Sequence, residues 1–450
     1  MNKTNNDLFD LPQKECIIMH IDMNSYFATC EQQANPAWQG KPLGVCSYLH
    51  PKGTIIAASR EAKKLGIGTG TKVGEAQQIC PGIVLVSDEP AKYRAITERI
   101  QVIFNSYTPD VENYSIDESF LRFDVERSPL SLPQKLLRNP RGTRKTGMTD
   151  SRNVGAQDLE PDVVGAVYYI GQEIKRRIKQ EVGEWITCSI GIGQSKFMAK
   201  IGSDFQKPDG LVVVDKNNVD GLLEQLELMD VWGISYGLKR QFNALGIFTP
   251  LQIKYAKPSF LMKKMGKMGY FLWSRMNGLE IDKLQTEPMK ASVKSVGHSY
   301  TLLKKTANKD ELALLIMKLS EKVGRRLRRK GKRGKVCWIG WKYIYGGGFA
   351  RQQQLDESID DGYDIFRHTY KHLAGKVLHD KISKIYISVS GLEEAKHLQL
   401  SFLEDKLKKS RLLQSMDKIN DKYGEMTVTR GMHKNWTEEI RDRVAFGHRP

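Results

Sequence analysis

Two adjacent carboxylates, Asp117 and Glu118, stand inside the run Tyr114-Ser-Ile-Asp-Glu-Ser-Phe-Leu-Arg-Phe123. Apolar and polar residues alternate there as they do in a half-buried strand. A carboxylate is costly to bury in such a setting unless it is paired or faces a cation. A second strand ends the same way: Cys16-Ile-Ile-Met-His-Ile21 runs into Asp22, followed by Met23-Asn-Ser-Tyr-Phe27. Asp22, Asp117 and Glu118 together make a hard oxygen site suited to Mg²⁺, which takes carboxylates and keeps positions for water or substrate phosphate. Three carboxylates at strand ends point to two-metal phosphoryl chemistry. The dipeptide alone is not the signal. Asp-Glu recurs at Asp88-Glu89, Asp310-Glu311 and Asp356-Glu357, where polar flanks read as solvated turns or helix starts. His20, beside Asp22, reads as a packed strand histidine rather than a ligand.

The balance of charge narrows the partner. With a net charge of +18 over 450 residues and a pI near 9.4, the chain favours a polyanion. Six cysteines are scattered without a Cys-x-x-Cys pair, which argues against a structural zinc site or a disulfide framework and suits a reducing compartment. The N-terminus is polar and no run approaches transmembrane length. These features predict a cytoplasmic nucleic-acid protein of about three domains or more, with no membrane partner.

Along the chain, residues 1–14 read as a polar lead, and a Gly-, Pro- and Lys-rich region follows the first strand at 23–86. That region holds strand-like Gly53-Thr-Ile-Ile-Ala-Ala58 and helix-like Arg60-Glu-Ala-Lys-Lys-Leu65, closed by Gly66. A helix is predicted at about 90–107 and the acidic hairpin at 112–124. Residues 126–160 are basic, polar and irregular, and read as an insertion. Helical periodicity returns at 162–181, followed by a strand at 185–192 and a helix at 195–204. The stretch 220–280 reads as short helices. In it Val231-Trp-Gly-Ile-Ser235 precedes a helix from Tyr236 to Leu245, as in a helix-hairpin-helix whose N–H groups meet a phosphate. Gly233 and Ser235 are its DNA-binding candidates, and Lys264-Met-Gly-Lys-Met-Gly269 reads as a second, weaker hairpin. Residues 294–390 then run strand, helix, strand, strand, helix, strand, with Arg325, Arg326, Arg328 and Arg329 in a basic run suited to phosphate.

Asp22-Met-Asn-Ser-Tyr-Phe-Ala28 and Ser115-Ile-Asp-Glu-Ser119 resemble the two catalytic motifs of Y-family translesion DNA polymerases of the bacterial UmuC/DinB type. The likeness continues through Ser189-Ile-Gly-Ile-Gly-Gln-Ser-Lys-Phe-Met-Ala-Lys200 and Lys207-Pro-Asp-Gly210, and covers roughly residues 15 to 400. It implies an α+β multidomain right hand. The palm would be 1–26 and 87–205, with the insertion at about 126–160, and the fingers 27–86. A helical thumb at 206–282, a linker at 283–293 and a β-α-β-β-α-β little finger at 294–392 would follow, with a tail at 393–450.

The resemblance also implies roles. Asp22 and Asp117 would bridge two Mg²⁺ ions, Glu118 would complete the hydroxyl-side site, and the Met23 carbonyl would add an oxygen on the nucleotide side. Lys196 stands where the family is expected to hold a triphosphate lysine, with Lys200 as the alternative. Arg60 and Lys63 match a Tyr-x-x-Arg pair, keeping positive charge but losing the tyrosine hydroxyl and the bidentate fork. Tyr26 and Phe27 would line the nucleotide pocket, Phe27 as the gate against a ribose 2′-hydroxyl.

The implied activity is DNA-templated synthesis from deoxynucleoside triphosphates on primer-template DNA. It would be of low fidelity, without proofreading, and performed by a monomeric polymerase subunit. In the tail, Gln399-Leu-Ser-Phe-Leu403 is similar to the bacterial sliding-clamp pentapeptide, which would make Gln399, Leu400, Phe402 and Leu403 the clamp contacts. An amphipathic helix at about 402–420 is the bland reading of the same apolar residues. Two rival classes fit parts of the pattern. One is a non-catalytic DNA- and clamp-binding accessory subunit, which the intact acid set disfavours. The other is a palm-type nucleotide cyclase, which has no use for a duplex grip.

Overall fold

The computed structural model describes residues 16–124, 161–279, 284–285, 293–395, 406–425 and 427–431. The expected insertion, most of the linker and the pentapeptide 399–403 lie outside the described residues. These fall into two units that meet between Gln285 and Val293 in the chain.

The first unit opens with β1 (Cys16–Met23) and α1 (Tyr26–Ala34). A small sheet follows, made of β2 (Leu43–Cys46), β3 (Ile55–Ala58) and β4 (Val84–Ser87) in the order β3-β2-β4. With α2 (Arg60–Lys64) and α3 (Val73–Ile79) it closes over its own core of Cys46, Ile55, Ala62, Ile67 and Val73. This is the expected fingers region, except that α1 packs into the main core through Tyr26, Phe27, Ala28 and Cys30.

Next come α4 (Pro90–Asn105), the hairpin β5 (Val111–Asn113) and β6 (Glu118–Asp124), and α5 (Pro161–Arg177), whose helical path ends in a π turn at Ile178–Val182. The palm is completed by β7 (Cys188–Gly193), α6 (Lys196–Phe205) and β8 (Leu211–Val214). Its five-stranded sheet has the order β5-β6-β1-β7-β8, with β1 antiparallel to both neighbours.

Period-two alternation decides what each face of this sheet carries. Ile17, Met19 and Ile21 of β1, with Leu121 and Phe123 of β6, point into the core beneath α4 and α5. Ile18 and Phe120 point to the other face and pack with Ala199 of α6. The same parity puts His20, Asp22 and Glu118 on the α6 face. The helix lies close because β7 carries glycine: a Cβ on Gly191 would stand 1.9 Å from the Ala199 carbonyl oxygen.

Four more helices build the thumb: α7 (Val219–Glu224), α8 (Tyr236–Ala244), α9 (Pro250–Tyr255) and α10 (Pro258–Met276). They close on Leu223, Phe242, Ile253, Leu261 and Leu272. The second hairpin expected at Lys264–Gly269 is instead a kink within α10, at Gly266 with φ +64°. Glycine enters that left-handed conformation at little cost, so the chain bends without opening a turn.

The second unit runs β9 (Ser295–Thr306), α11 (Lys309–Arg329), β10 (Lys332–Tyr343), β11 (Gly348–Ile359), α12 (Gly362–Ala374) and β12 (Ile382–Glu394), the β-α-β-β-α-β order expected. Its antiparallel sheet has the order β11-β10-β12-β9. Ile339, Trp341, Ile385, Ile387 and Val389 alternate onto the buried face, which α11 and α12 cover. The opposite face is lined by Ser299, Thr301, Trp338, Gln352, Lys384 and Tyr386, from half-buried to exposed. A last helix, α13 (Lys406–Tyr423), stands in place of the one expected at about 402–420. Among the described residues no helix is long and apolar enough to cross a membrane.

Candidate active site

The antiparallel register of β1 and β6 sets Asp22 directly opposite Glu118. Asp117 occupies the bend just before β6, and its carbonyl accepts the Met23 N–H at 2.9 Å, which fastens the acidic turn to the end of β1. Asp22, far away in the sequence, therefore meets the adjacent Asp117 and Glu118 at one end of the central strands of the palm sheet. Burial pushes the Asp22 and Asp117 carboxyls above the usual carboxylate range, and the neighbouring Glu118 adds to this. Burial would raise Glu118 too, but His20 and Lys200 outweigh it and hold that carboxyl down at about 2.

Each acid is turned to a partner of the protein's own. Asp117 accepts from Ser115 Oγ at 2.5 Å, Glu118 faces Lys200 Nζ at 3.2 Å, and Asp22 faces Lys207 Nζ at 2.6 Å. Among the described residues the acids are not drawn together tightly enough to form a ready metal cage. The donor set nonetheless fits a hard divalent cation: three carboxylates, two of them disfavoured as anions by burial, converge at one place. His20 is the packed strand histidine expected. It is fully buried against Phe120, with ring centroids 4.4 Å apart, and its Nδ1 lies 2.6 Å from Ser203 Oγ.

The lysines sort differently from the sequence expectation. Lys196 does not face the acid group. Its ammonium lies 2.8 Å from the buried Glu112 and 4.7 Å from the centre of the Phe120 ring. Its buried ammonium is paired with Glu112, away from the acids beside which the triphosphate lysine was expected. Lys207, not Lys196, is the lysine beside Asp22. It sits between Asp22 and Asp204, at 2.6 and 2.7 Å. Burial opposes its charge, but the two carboxylates outweigh burial and raise its pKa. The signal was present in Lys207-Pro-Asp-Gly210, which the sequence reading matched but did not treat as part of the site.

Arg60 and Lys63 are brought to the same place. The Arg60 guanidinium donates to Thr187 Oγ1, close to the end of β1. The Lys63 ammonium is pushed down by half-burial and by its neighbours Lys207 and Arg60, with Asp22 acting the other way. Three cations crowd here around one carboxylate. Such crowding raises the energy of the site until an anion enters it.

Tyr26 and Phe27 are buried. Phe27 stacks on Tyr93 with centroids 4.4 Å apart, and the Tyr26 hydroxyl donates to the Tyr93 carbonyl at 3.0 Å. Both sit beneath the strand end that carries Asp22.

The DNA-binding candidates divide. In the thumb, Gly233 adopts φ +96° and Ser235 caps α8 through the Leu238 N–H, giving the expected turn at a helix N-terminus. In the second unit the arginine run is met from within. Arg328 grips Asp417 of α13 bidentately at 2.6 and 2.9 Å, Arg325 and Arg329 reach Asp421, and Lys322 pairs with Glu425 at 2.7 Å. Arg326 donates to the Gly297 carbonyl at 3.0 Å. The basic run thus faces acids that the protein itself supplies, Asp417 and Asp421 of α13 and Glu425 just beyond it, a pairing that no local reading of residues 322–335 could supply.

Among the described residues of α13 only Leu413 and Asn420 are buried, so ion pairs carry much of this docking. Arg328→Met is expected to loosen α13 by about 3 kcal/mol, since it leaves Asp417 half-buried and uncompensated. Amide exchange across residues 408–423 should then accelerate more than tenfold at constant pH. Unchanged exchange would mean that Leu413, Asn420 and the remaining ion pairs hold the helix without Arg328.

Fold and site together define a polymerase catalytic core. A palm sheet presents acids at one end of its central strands, a small fingers module brings cations beside them, and a helical thumb and a separate β-α-β-β-α-β module follow. The impB/mucB/samB family model matches residues 21–204, and the C-terminal domain model of the same family matches residues 293–402. The chain belongs to this family, that of the Y-family translesion polymerases. It is 28% identical over 428 residues to DNA polymerase IV of Acetivibrio thermocellus, covering 92% of this chain and 97% of that one. It is 28% identical to DNA polymerase IV 1 of Bacillus subtilis, over 94% of each chain. A solved Y-family DNA polymerase chimera of Dbh and Dpo4 shares the fold with a TM-score of 0.65 at 24% identity, over 83% of this chain and 98% of that one.

Proposed function

We infer that this protein is a DNA-templated DNA polymerase that extends primers across damaged template. The observation that carries the reading is the meeting of Asp22, Asp117 and Glu118 at one end of the central palm strands, with Lys207, Lys63 and Arg60 crowded beside them. Asp22, Asp117, Glu118 and the Met23 carbonyl are the groups that would hold two Mg²⁺ ions. Bound there, the ions would supply charge neutralisation for the primer 3′-hydroxyl and the triphosphate. Lys207, Lys63 and Arg60 bind the triphosphate oxygens, work that is mostly positioning and electrostatics in phosphoryl transfer. Phe27 and Tyr26 floor the sugar pocket. All three acids are present and together, which leaves nothing to favour a non-catalytic accessory subunit. The deciding experiment is extension of a primed template, undamaged and abasic, with and without Mg²⁺. Absence of Mg²⁺-dependent extension on both templates sinks the reading.

For the DNA grip, the turn at Gly233 and Ser235 supplies a phosphate contact from the thumb. In the second unit the open sheet face takes over from the arginine run. Its hydroxyls and amides, with Lys342 and Lys384, suit backbone contacts of the kind that position a duplex without reading it.

Gln399-Leu-Ser-Phe-Leu403 would dock on a bacterial sliding clamp, with Leu400, Phe402 and Leu403 as apolar anchors and Gln399 as a hydrogen-bonding one. Replacing Leu400 and Phe402 by alanine should abolish clamp-stimulated synthesis and leave synthesis on naked primer-template intact. Equal clamp affinity for the double variant and the wild type refutes the motif. The protein would act as a monomeric subunit in the cytoplasm.

A further inference from the structure

Lys207 reaches Asp22 from a turn that is held by a residue just beyond the end of β1. Asn24, two residues beyond Asp22, is buried, and its side-chain oxygen accepts the Asp209 N–H at 2.8 Å and the Thr187 hydroxyl at 3.2 Å. Its Nδ2 donates to Ser189 Oγ at 3.0 Å, and that hydroxyl accepts the Gly210 N–H at 3.3 Å. The orientation of the amide is fixed by this network, because the Asp209 N–H can only donate. Asp209 sits at φ +60°, a conformation that L-residues other than glycine hold only when surroundings impose it. Its carboxylate is held as well, 3.1 Å from Lys175 and 3.2 Å from Lys179. The Thr187 hydroxyl that donates to Asn24 also receives the Arg60 guanidinium, so the same network touches a second cation of the site.

We propose that Asn24 is a positioning residue that holds the Lys207–Gly210 turn, and with it the Lys207 ammonium, in place beside Asp22. The proposal rests on the reading of Lys207 as a triphosphate cation. Asn24 touches neither the acids nor, on that reading, the nucleotide. It acts by joining the end of β1 to a turn 185 residues away in the chain. Removing the amide leaves the Asp209 N–H buried without a partner and frees the turn to relax from its left-handed conformation.

The test is single-nucleotide incorporation by the full-length protein on primer-template, with KM for the nucleotide, kcat and primer-template Kd measured separately. Lys207→Ala is expected to raise KM at least tenfold. Asn24→Ala should raise KM about tenfold, the worth of one buried hydrogen bond, with primer-template Kd unchanged. In the Lys207→Ala background the same substitution should raise KM less than threefold, because the group it positions is gone. Asn24→Asp keeps both acceptor contacts and should recover most of the lost KM. If Asn24→Ala does not fold, Ser189→Ala removes the Gly210 anchor and the acceptor of the Asn24 Nδ2 bond and should raise KM in the same direction, again masked by Lys207→Ala. A raised KM for Lys207→Ala beside an unchanged KM for Asn24→Ala, or effects of the two that simply multiply, overturns the proposal alone. An unchanged KM for Lys207→Ala removes the reading of Lys207 and the proposal with it.

Discussion

Asp117→Asn is expected to cut nucleotide incorporation by at least about a thousandfold while leaving the protein no less stable than before. The two halves of this prediction come from the same geometry. Asp117 sits at the end of the central palm strands with Asp22 and Glu118, where chemistry needs their charge and folding does not. Its carboxyl lies above the ordinary range because burial disfavours the charged form, an effect that Ser115 offsets only in part. A group whose folded pKa is raised destabilises the folded state at pH values above it, where folding must keep the charge that burial resists. Neutral asparagine removes that charge, so the melting temperature at pH 7 should match or exceed the wild-type value. Glu118→Gln should abolish incorporation as well but behave oppositely in stability. Its carboxyl is held at about 2 by His20 and Lys200, so its charge stabilises the fold above the unfolded-state pKa and that contribution is lost as pH falls toward 2. Primer-template affinity should be retained by both variants. Incorporation within tenfold of wild type by either one would remove the two-metal assignment.

Phe27→Leu should raise ribonucleotide incorporation relative to deoxyribonucleotide by on the order of a hundredfold, equal to about 2.7 kcal/mol of lost discrimination. Burial complicates this test. Phe27 is 2% exposed and stacked on Tyr93, so deleting the ring entirely would open a core cavity and cost about 3–5 kcal/mol. Leucine keeps most of the volume while withdrawing the far edge of the ring, which keeps the variant folded. Phe104→Leu serves as the packing control, because Phe104 is equally buried in the same core but lies on α4, outside the motif. A gate predicts altered sugar selection for Phe27→Leu only. If both variants lose comparable stability and neither changes discrimination, Phe27 is core packing and the sugar is excluded by something else.

Legibility from sequence followed the range of the interactions. The acids could be found because the pattern that places them is local: β1 and β6 alternate with period two, and the residues that end those strands share a face whatever the rest of the chain does. The glycines of Ser189-Ile-Gly-Ile-Gly193 are local in the same sense, since a helix can lie against that strand only where side chains are missing. The β-α-β-β-α-β order of the second unit was readable for the same reason. Its strands and helices each carry their own periodicity.

The cations were not readable, because their roles depend on what faces them. Lys196, Lys200 and Lys207 all lie within one short stretch, yet one pairs with Glu112, one with Glu118 and one with Asp22. Nothing in the local sequence separates these outcomes. α6 and the turn after it carry the three ammoniums in different directions, and strands far away in the chain supply the partners. The arginines at 325–329 fall under the same rule. In sequence they are a charge run beside a strand. In the fold they face Asp417 and Asp421 of α13, roughly ninety residues downstream. Sequence alone determined which residues form the strands and where the acids must sit, since a periodic pattern acts through its nearest neighbours. Tertiary structure alone decided which charges remain for a ligand, since a charge is neutralised by whatever the fold brings within a few ångströms of it.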